Sequence, residues 1–153
     1  MKRFLYILTE CVWGFPQTAA GLVLFIANIK KRHYLYHGAV VTEWDRASSV
    51  SLGLFLFISS ARIEDRRIDG AIPSEYMARA LLVHEYGHTI QSLFLGPLYL
   101  FLIGIPSFAW GALPRYRKQR KKGRPYSDFW TERSANKLGE RATKERSLGG
   151  AVF

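Results

Sequence analysis

Apolar residues fall in two dense blocks, Phe4 to Ile29 and Leu93 to Leu113, with a mixed stretch between them and a strongly basic one after the second. Each block carries a Gly-x-Pro interruption near its middle, Gly14-Phe15-Pro16 in the first and Gly104-Ile105-Pro106 in the second. Blocks of this length suit a lipid environment, and such an interruption is either a kink in a spanning helix or the turn of a re-entrant hairpin. Lys2-Arg3 and Lys30-Lys31-Arg32 bracket the first block, so both of its ends favour the cytosolic side and a hairpin satisfies both. A single kinked span is the alternative for that block.

Between the blocks, Tyr34 to Trp44 and Val50 to Ser60 are rich in β-branched and aromatic residues and are separated by Asp45-Arg46-Ala47-Ser48-Ser49. This pattern predicts a β-hairpin over 34–60 and hence a small antiparallel sheet. Its second stretch, Val50 to Ile58, is either an edge to which an extended peptide adds or a core strand. Met77, Leu81, His84, His88, Gln91 and Leu95 then recur at spacings of three and four, and Pro73-Ser74-Glu75 supplies a start signal, which predicts a helix over 73–95. A further helix is expected over 126–139, followed by a polar, Gly-rich loose tail over 140–153. The fold class is α+β. The chain reads as one membrane-embedded domain with residues 1–29 as anchor and 97–113 as a second apolar segment.

Charge sharpens the membrane reading. The net charge of +10 is uneven, since residues 114–153 hold twelve Lys or Arg against four Asp or Glu. Seven of the ten residues from Arg115 to Arg124 are basic and follow directly on an apolar block, which marks a segment held at the cytosolic face against anionic lipid. Only Tyr116 interrupts that run with an aromatic ring, so it lacks the interleaving of a base-stacking surface and no nucleic acid is expected as a partner. Lys2-Arg3 before Phe4 to Leu8 resembles a secretory signal, but Glu10 breaks its apolar core and Leu22 to Ile29 resumes it, so an uncleaved anchor is expected. The lone Cys11 excludes an intrachain disulfide and a Cys-rich metal site.

The chemistry is concentrated in Leu82-Val83-His84-Glu85-Tyr86-Gly87-His88-Thr89. On a helix, His84 and His88 project from one face and can bind one Zn2+, while Glu85 stands beside them to take a proton from a metal-bound water. With four His and eight Glu in the chain, chance would produce the H-E-x-x-H pattern in roughly half a percent of such sequences. A catalytic zinc needs a third protein ligand and an open position. Glu132 is the candidate, in Trp130-Thr131-Glu132-Arg133-Ser134-Ala135-Asn136, where Asn136 shares its helical face and can orient a ligand by hydrogen bonding.

Taken together, His84-Glu85-Tyr86-Gly87-His88 and Glu132-Arg133-Ser134-Ala135-Asn136 resemble the gluzincin metallopeptidases, especially the integral-membrane CAAX prenyl protease type, in which H-E-x-x-H is followed by E-x-x-A-D. The resemblance covers these two short motifs. It implies zinc bound by His84, His88 and Glu132, Glu85 as general base, and Asn136 in the acidic position that supports a ligand. Asn136 departs from that pattern, because an amide lacks the charge that raises histidine basicity. The stretch from His84 to Pro106 is also similar to a group of short bacterial membrane proteins, which points to an inner-membrane location without supplying an activity.

The expected function is zinc-dependent hydrolysis of peptide bonds in a membrane protein or membrane-associated peptide at the cytosolic face. The alternative is a non-catalytic, zinc-stabilised membrane adaptor that holds anionic lipid or a protein partner through its basic tail. A donor for the developing oxyanion is left open among His33, His37, Tyr126 and Arg133. Ligation by Glu132 also constrains topology. A single crossing by Pro97 to Leu113 would put Glu132 on the opposite side of the bilayer from His84 and His88, so this segment is expected to be re-entrant, turning at Gly104 to Pro106. Labelling of cysteines placed at Leu95 and Lys118 by an impermeant reagent from opposite faces of the membrane would refute the re-entrant topology.

Overall fold

The structure is a computed structural model that describes residues 3–46, 48–60, 74–121 and 126–147. It opens with α1 (Arg3–Val12) and α2 (Phe15–Ala27), which meet at 97°. The first Gly-x-Pro break is therefore a sharp elbow. Gly14 sits at the bend where a methyl group would collide with the Glu10 carboxylate, and Pro16 occupies the first turn of α2, where its missing N–H removes no helical bond.

Four strands follow: β1 (His33–Tyr36), β2 (Ala39–Trp44), β3 (Val50–Leu52) and β4 (Phe55–Ser59). They form one sheet in the order β1-β2-β4-β3, in which both outer pairs are antiparallel and the central β2–β4 pair is parallel, with Val40 opposite Phe55 and Trp44 opposite Ser59. The expected antiparallel sheet is thus corrected to a mixed one. The cause is local: each β-rich stretch contains its own turn and folds into its own hairpin. In the first, His37 and Gly38 both have positive φ (50° and 101°), the backbone of a two-residue hairpin loop whose twist matches the flanking strands. In the second, Gly53 and Leu54 make the turn that sets Leu52 against Phe55. Asp45 to Ser49 becomes the connection between the hairpins rather than a hairpin turn. Of the stretch Val50 to Ile58, β3 is an edge strand, whereas β4 is an inner strand with every residue buried.

Alternation along β4 assigns the two faces of the sheet. Phe55 and Phe57 pack with Trp44 against Leu24 and Phe25 of α2, and Leu56 and Ile58 pack with Val41 against Leu81, Leu82 and Tyr86 of α3 (Ser74–Leu95). The sheet is covered by α2 on one side and by α3, with Tyr6 of α1, on the other.

The second apolar block bends elsewhere than expected. After α3 comes a short 3-10 turn (Gly96–Leu98), and the segment through Leu98 meets Leu100–Ala112 at 120°, the latter comprising a π-helical turn (Leu100–Gly104) and α4 (Ile105–Ala112). Gly96 ends α3 in the left-handed region, φ 53°, and Pro97 begins a 3-10 turn, the usual sequence for stopping one helix and starting another. Gly104 is helical and Pro106 lies in the first turn of α4, so neither breaks the chain. No single helix among the described residues is long and apolar enough to cross a membrane, and the two bent pairs α1–α2 and α3–α4 have the length and composition of broken spans or re-entrant loops.

The basic run forms α5 (Pro114–Lys121), with residues 122–124 of that run outside the described residues. A 3-10 turn (Tyr126–Asp128) leads into α6 (Trp130–Thr143). The segment expected to be a loose tail from residue 140 begins as the last turn of α6, and the Ser147 N–H and hydroxyl both donate to the Glu140 side chain; residues 148–153 lie outside the described set.

Helix α6 lies along α3 at backbone contact. Thr131, Glu132, Ala135, Asn136, Gly139 and Thr143 form its buried stripe, at the three-and-four spacing of one helix face. A methyl group on Gly87 would strike the Ala135 carbonyl, and one on Gly139 would strike the Val83 carbonyl. Two glycines, one from each helix, thereby set the distance between them. Replacing either by alanine is expected to cost about 3 kcal/mol, because the obstructing atom is backbone and cannot rotate away. Chemical denaturation of Gly87→Ala and Gly139→Ala in detergent checks this, and stability equal to that of the unmodified chain would refute it.

Candidate metal centre

The helix–helix contact brings the H-E-x-x-H residues and Glu132 together across 44 residues of sequence. Nε2 of His84 lies 3.2 Å and Nε2 of His88 3.7 Å from Oε2 of Glu132, and all three side chains are buried. One donor atom from each can be chosen so that all lie within 4.8 Å of one another, a spacing that suits a single metal ion.

The second ring nitrogens show how the donors are aimed. Nδ1 of His84 is 2.7 Å from Oδ1 of Asn136, and Nδ1 of His88 is 2.7 Å from Oε1 of Gln91. The orientation of Gln91 follows from its other end, since its Nε2 donates to the Thr131 carbonyl and to the Ser134 hydroxyl, which leaves only oxygen to face His88. An amide oxygen accepts, so both imidazoles carry a proton on Nδ1 and leave Nε2 as the atom that faces Glu132 and would bind a metal. Glu132 is itself held, by a 3.1 Å hydrogen bond from Thr131 Oγ1 to Oε1, and Ser107 of α4 donates to that threonine at 2.8 Å. The donor set of two nitrogens and one carboxylate oxygen, with ring tautomers set for ligation, fits a divalent metal ion.

Electrostatics without metal agree with this reading. Burial alone would lower the pKa of His84, but its hydrogen bond to Glu132 and the charges of Glu85 and Glu132 outweigh it and raise the group to about 9. Burial alone would raise the pKa of Glu132, yet hydrogen bonds from His84 and His88 hold it well below the ordinary carboxylate range. The two shifts together favour a protonated His84 beside an ionised Glu132.

Glu85 is buried beside the ligands, and Ser51 of the edge strand β3 holds it. The Ser51 hydroxyl lies 2.8 Å from the Glu85 backbone carbonyl and 2.5 Å from its Oε2, positioned to donate to either. The Tyr99 hydroxyl donates to the Ser51 carbonyl at 3.4 Å, and its buried phenol is within electrostatic reach of both Glu85 and Glu132. The sequence reading did not single out Ser51, Tyr99 or the support role of Gln91. Gln91 carried a signal, three residues after His88 on the same face; Ser51 and Tyr99 carried none, because their roles depend on sheet register and on the Gly96 bend.

The donors considered for an oxyanion are placed elsewhere. His33 on β1 contacts Thr42 and the Ile29 carbonyl, His37 lies in the β1–β2 turn near Glu145, the Tyr126 carbonyl accepts from Trp110, and Arg133 is exposed on α6. Compared with known proteins, the chain matches no family model, no curated sequence and no solved structure.

Two outcomes follow. In metal-free protein His84 holds a proton below about pH 9 that an incoming ion must displace. Apparent zinc affinity should therefore climb from neutral pH by up to about tenfold per pH unit and level off near pH 9. Competition with a chromophoric chelator across that range measures it. Gln91→Leu, which frees the His88 ring, should weaken binding by roughly 10–100-fold in the same assay, and an unchanged affinity would remove Gln91 from the site.

Proposed function

We propose that this protein is a zinc-dependent peptidase of the membrane surface. The observation that carries the reading is the convergence of His84, His88 and Glu132 on one buried point with Glu85 next to it. Two imidazoles and a carboxylate, with a position left for water, are the donor set of a hydrolytic zinc site. When bound, such an ion supplies Lewis acidity and an acidified water. The limited resemblance to gluzincin peptidases points the same way.

The chain's own residues have separable tasks. Asn136 and Gln91 keep the lone pairs of His84 and His88 aimed inward. Glu85 accepts a proton from the attacking water and passes it to the leaving amine, with Ser51 restricting the carboxylate to one orientation. Tyr99 holds the Ser51 carbonyl and so steadies the strand that positions Glu85. β3 is the edge strand on the side of the sheet order that ends at the site, so an extended peptide pairing with it would run past Glu85.

The rival reading is a metal-stabilised membrane adaptor, favoured by the paired contacts between Ser51 and Glu85, which give that glutamate a structural use. Glu85→Gln separates the two. It is expected to retain about one zinc per chain and to lose hydrolysis by roughly 10²–10⁴-fold, read as new N-termini in a membrane-protein fraction reconstituted with the purified protein. New N-termini in equal yield from Glu85→Gln would refute the role of Glu85, and none from the native chain with zinc bound would favour the adaptor.

A further inference from the structure

The two apolar elbows are not independent. Trp13, at the α1–α2 bend, lies over Gly96, at the end of α3, so closely that any side chain at 96 would run into the indole. Below that contact a buried polar bridge joins the same elements. Gln17 Nε2 donates to the Gly96 carbonyl at 3.0 Å and to Ser92 Oγ at 2.8 Å, and Ser92 donates to Glu10 Oε2 at 2.9 Å. Glu10, Gln17 and Ser92 are fully or almost fully buried. Hydrogen bonds of this kind, shut away from water, hold the two bends in one fixed relation.

Around the joint the side chains are apolar and outward. Val12 is 70% exposed, Phe94 73% and Phe101 67%, and Trp13, Phe15 and Leu98 are each more than half exposed. Such a cluster far exceeds the scattered apolar residues of an ordinary surface. Polarity along α3 shows which way it faces. At the start of the helix Glu75 is exposed and Arg79 pairs at the surface with Glu145, whereas Phe94 stands bare at its end. Basic residues mark the other boundary: Lys30, Lys31 and Arg32 follow α2, and Arg115 and Lys118 lie on the helix that follows α4. A charge arrangement of this kind matches the phosphates of anionic headgroups, with apolar side chains below them.

We infer that the joined elbows form a single wedge inserted into one leaflet, and that it sets the metal centre at the hydrocarbon boundary, where the substrate is the juxtamembrane segment of a membrane-anchored polypeptide. The depth follows from the helix. His88 precedes Gly96 by eight residues, about 12 Å along α3, and the hydrocarbon of one leaflet is about 15 Å deep. A wedge tip near the midplane leaves the ligands just under the headgroups. Extended chain beside a transmembrane anchor passes through that layer, and soluble loops do not. The substrate half of this inference rests on the peptidase reading, and the insertion half does not.

The natural Cys11, exposed on α1 next to the elbow, provides the probe. A nitrobenzoxadiazole label there, on protein in vesicles of phosphatidylcholine with phosphatidylglycerol, should be quenched most by mid-chain nitroxide lipid. The same label at residue 75, in Cys11→Ser/Glu75→Cys protein, should be quenched only by aqueous iodide. Val12→Glu/Phe94→Glu, at exposed positions outside the core, should keep its zinc and lose vesicle binding by at least about tenfold. Equal quenching depth at 11 and 75, or unchanged vesicle binding by the zinc-loaded double variant, would overturn the wedge. With insertion established, new N-termini clustered within a few residues of apolar segments in the reconstituted membrane fraction support the substrate class, and cuts spread through soluble domains overturn it. An inserted, zinc-loaded protein that produces no new N-termini overturns the peptidase reading and leaves the wedge standing.

Discussion

Everything in this protein that bears on chemistry depends on how closely α3 and α6 approach. Gly87 against the Ala135 carbonyl and Gly139 against the Val83 carbonyl bring the two backbones together at the level of the ligands. Without that approach Glu132 could not stand within 3.2 Å of His84 and 3.7 Å of His88. The same contact places Asn136 behind His84, and it lets Gln91 of α3 reach the Thr131 carbonyl of α6 while its oxygen supports His88. Helix packing and ligand orientation are one interaction seen at two radii.

The remaining elements connect to this contact from three sides. The sheet approaches through Ser51, whose alternation in β3 puts its side chain on the α3 face, opposite Leu56. The second apolar segment approaches through Ser107 of α4, which holds Thr131 and so Glu132. The N-terminal elbow approaches through Gln17 and Glu10, which fasten to α3 one turn beyond His88. Of the three, the Ser107 path runs by hydrogen bonds through Thr131 to Glu132, the Ser51 path ends on Glu85, and the Gln17 and Glu10 path ends on Ser92 of α3.

What could be read from the sequence had short-range causes. The pair His84 and His88 with Glu85, and the pair Glu132 and Asn136, are intervals of one and four on helices, so periodicity alone put them on common faces. That the two helices meet follows from ligand need, and Gly87 inside the motif reads as a place of close packing, whereas Gly139 looks in the sequence like an ordinary helix glycine. The sheet was misjudged because His37-Gly38 and Gly53 lie inside runs of strand-forming residues, and parallel pairing of β2 with β4 leaves no local trace. The second bend was misplaced because a glycine two residues before a proline resembles a break. Only Gly96, with a positive φ and proline immediately after it, ends a helix, whereas Gly104 and Pro106 fit within helical backbone. Ser51 and Tyr99 escaped because their function is defined by partners 34 and 48 residues away.

The use of two amides, Asn136 and Gln91, behind the histidines has a consequence for the charge of the loaded centre. Two neutral imidazoles, the carboxylates of Glu132 and Glu85 and one divalent cation sum to zero, and neither supporting residue adds to that total. An aspartate at position 136 would leave the same buried group with an excess negative charge, for which the described side chains around the ligands offer no compensating lysine or arginine. Electroneutrality would let a loaded centre lie buried without stranding a net ion in a medium of low permittivity.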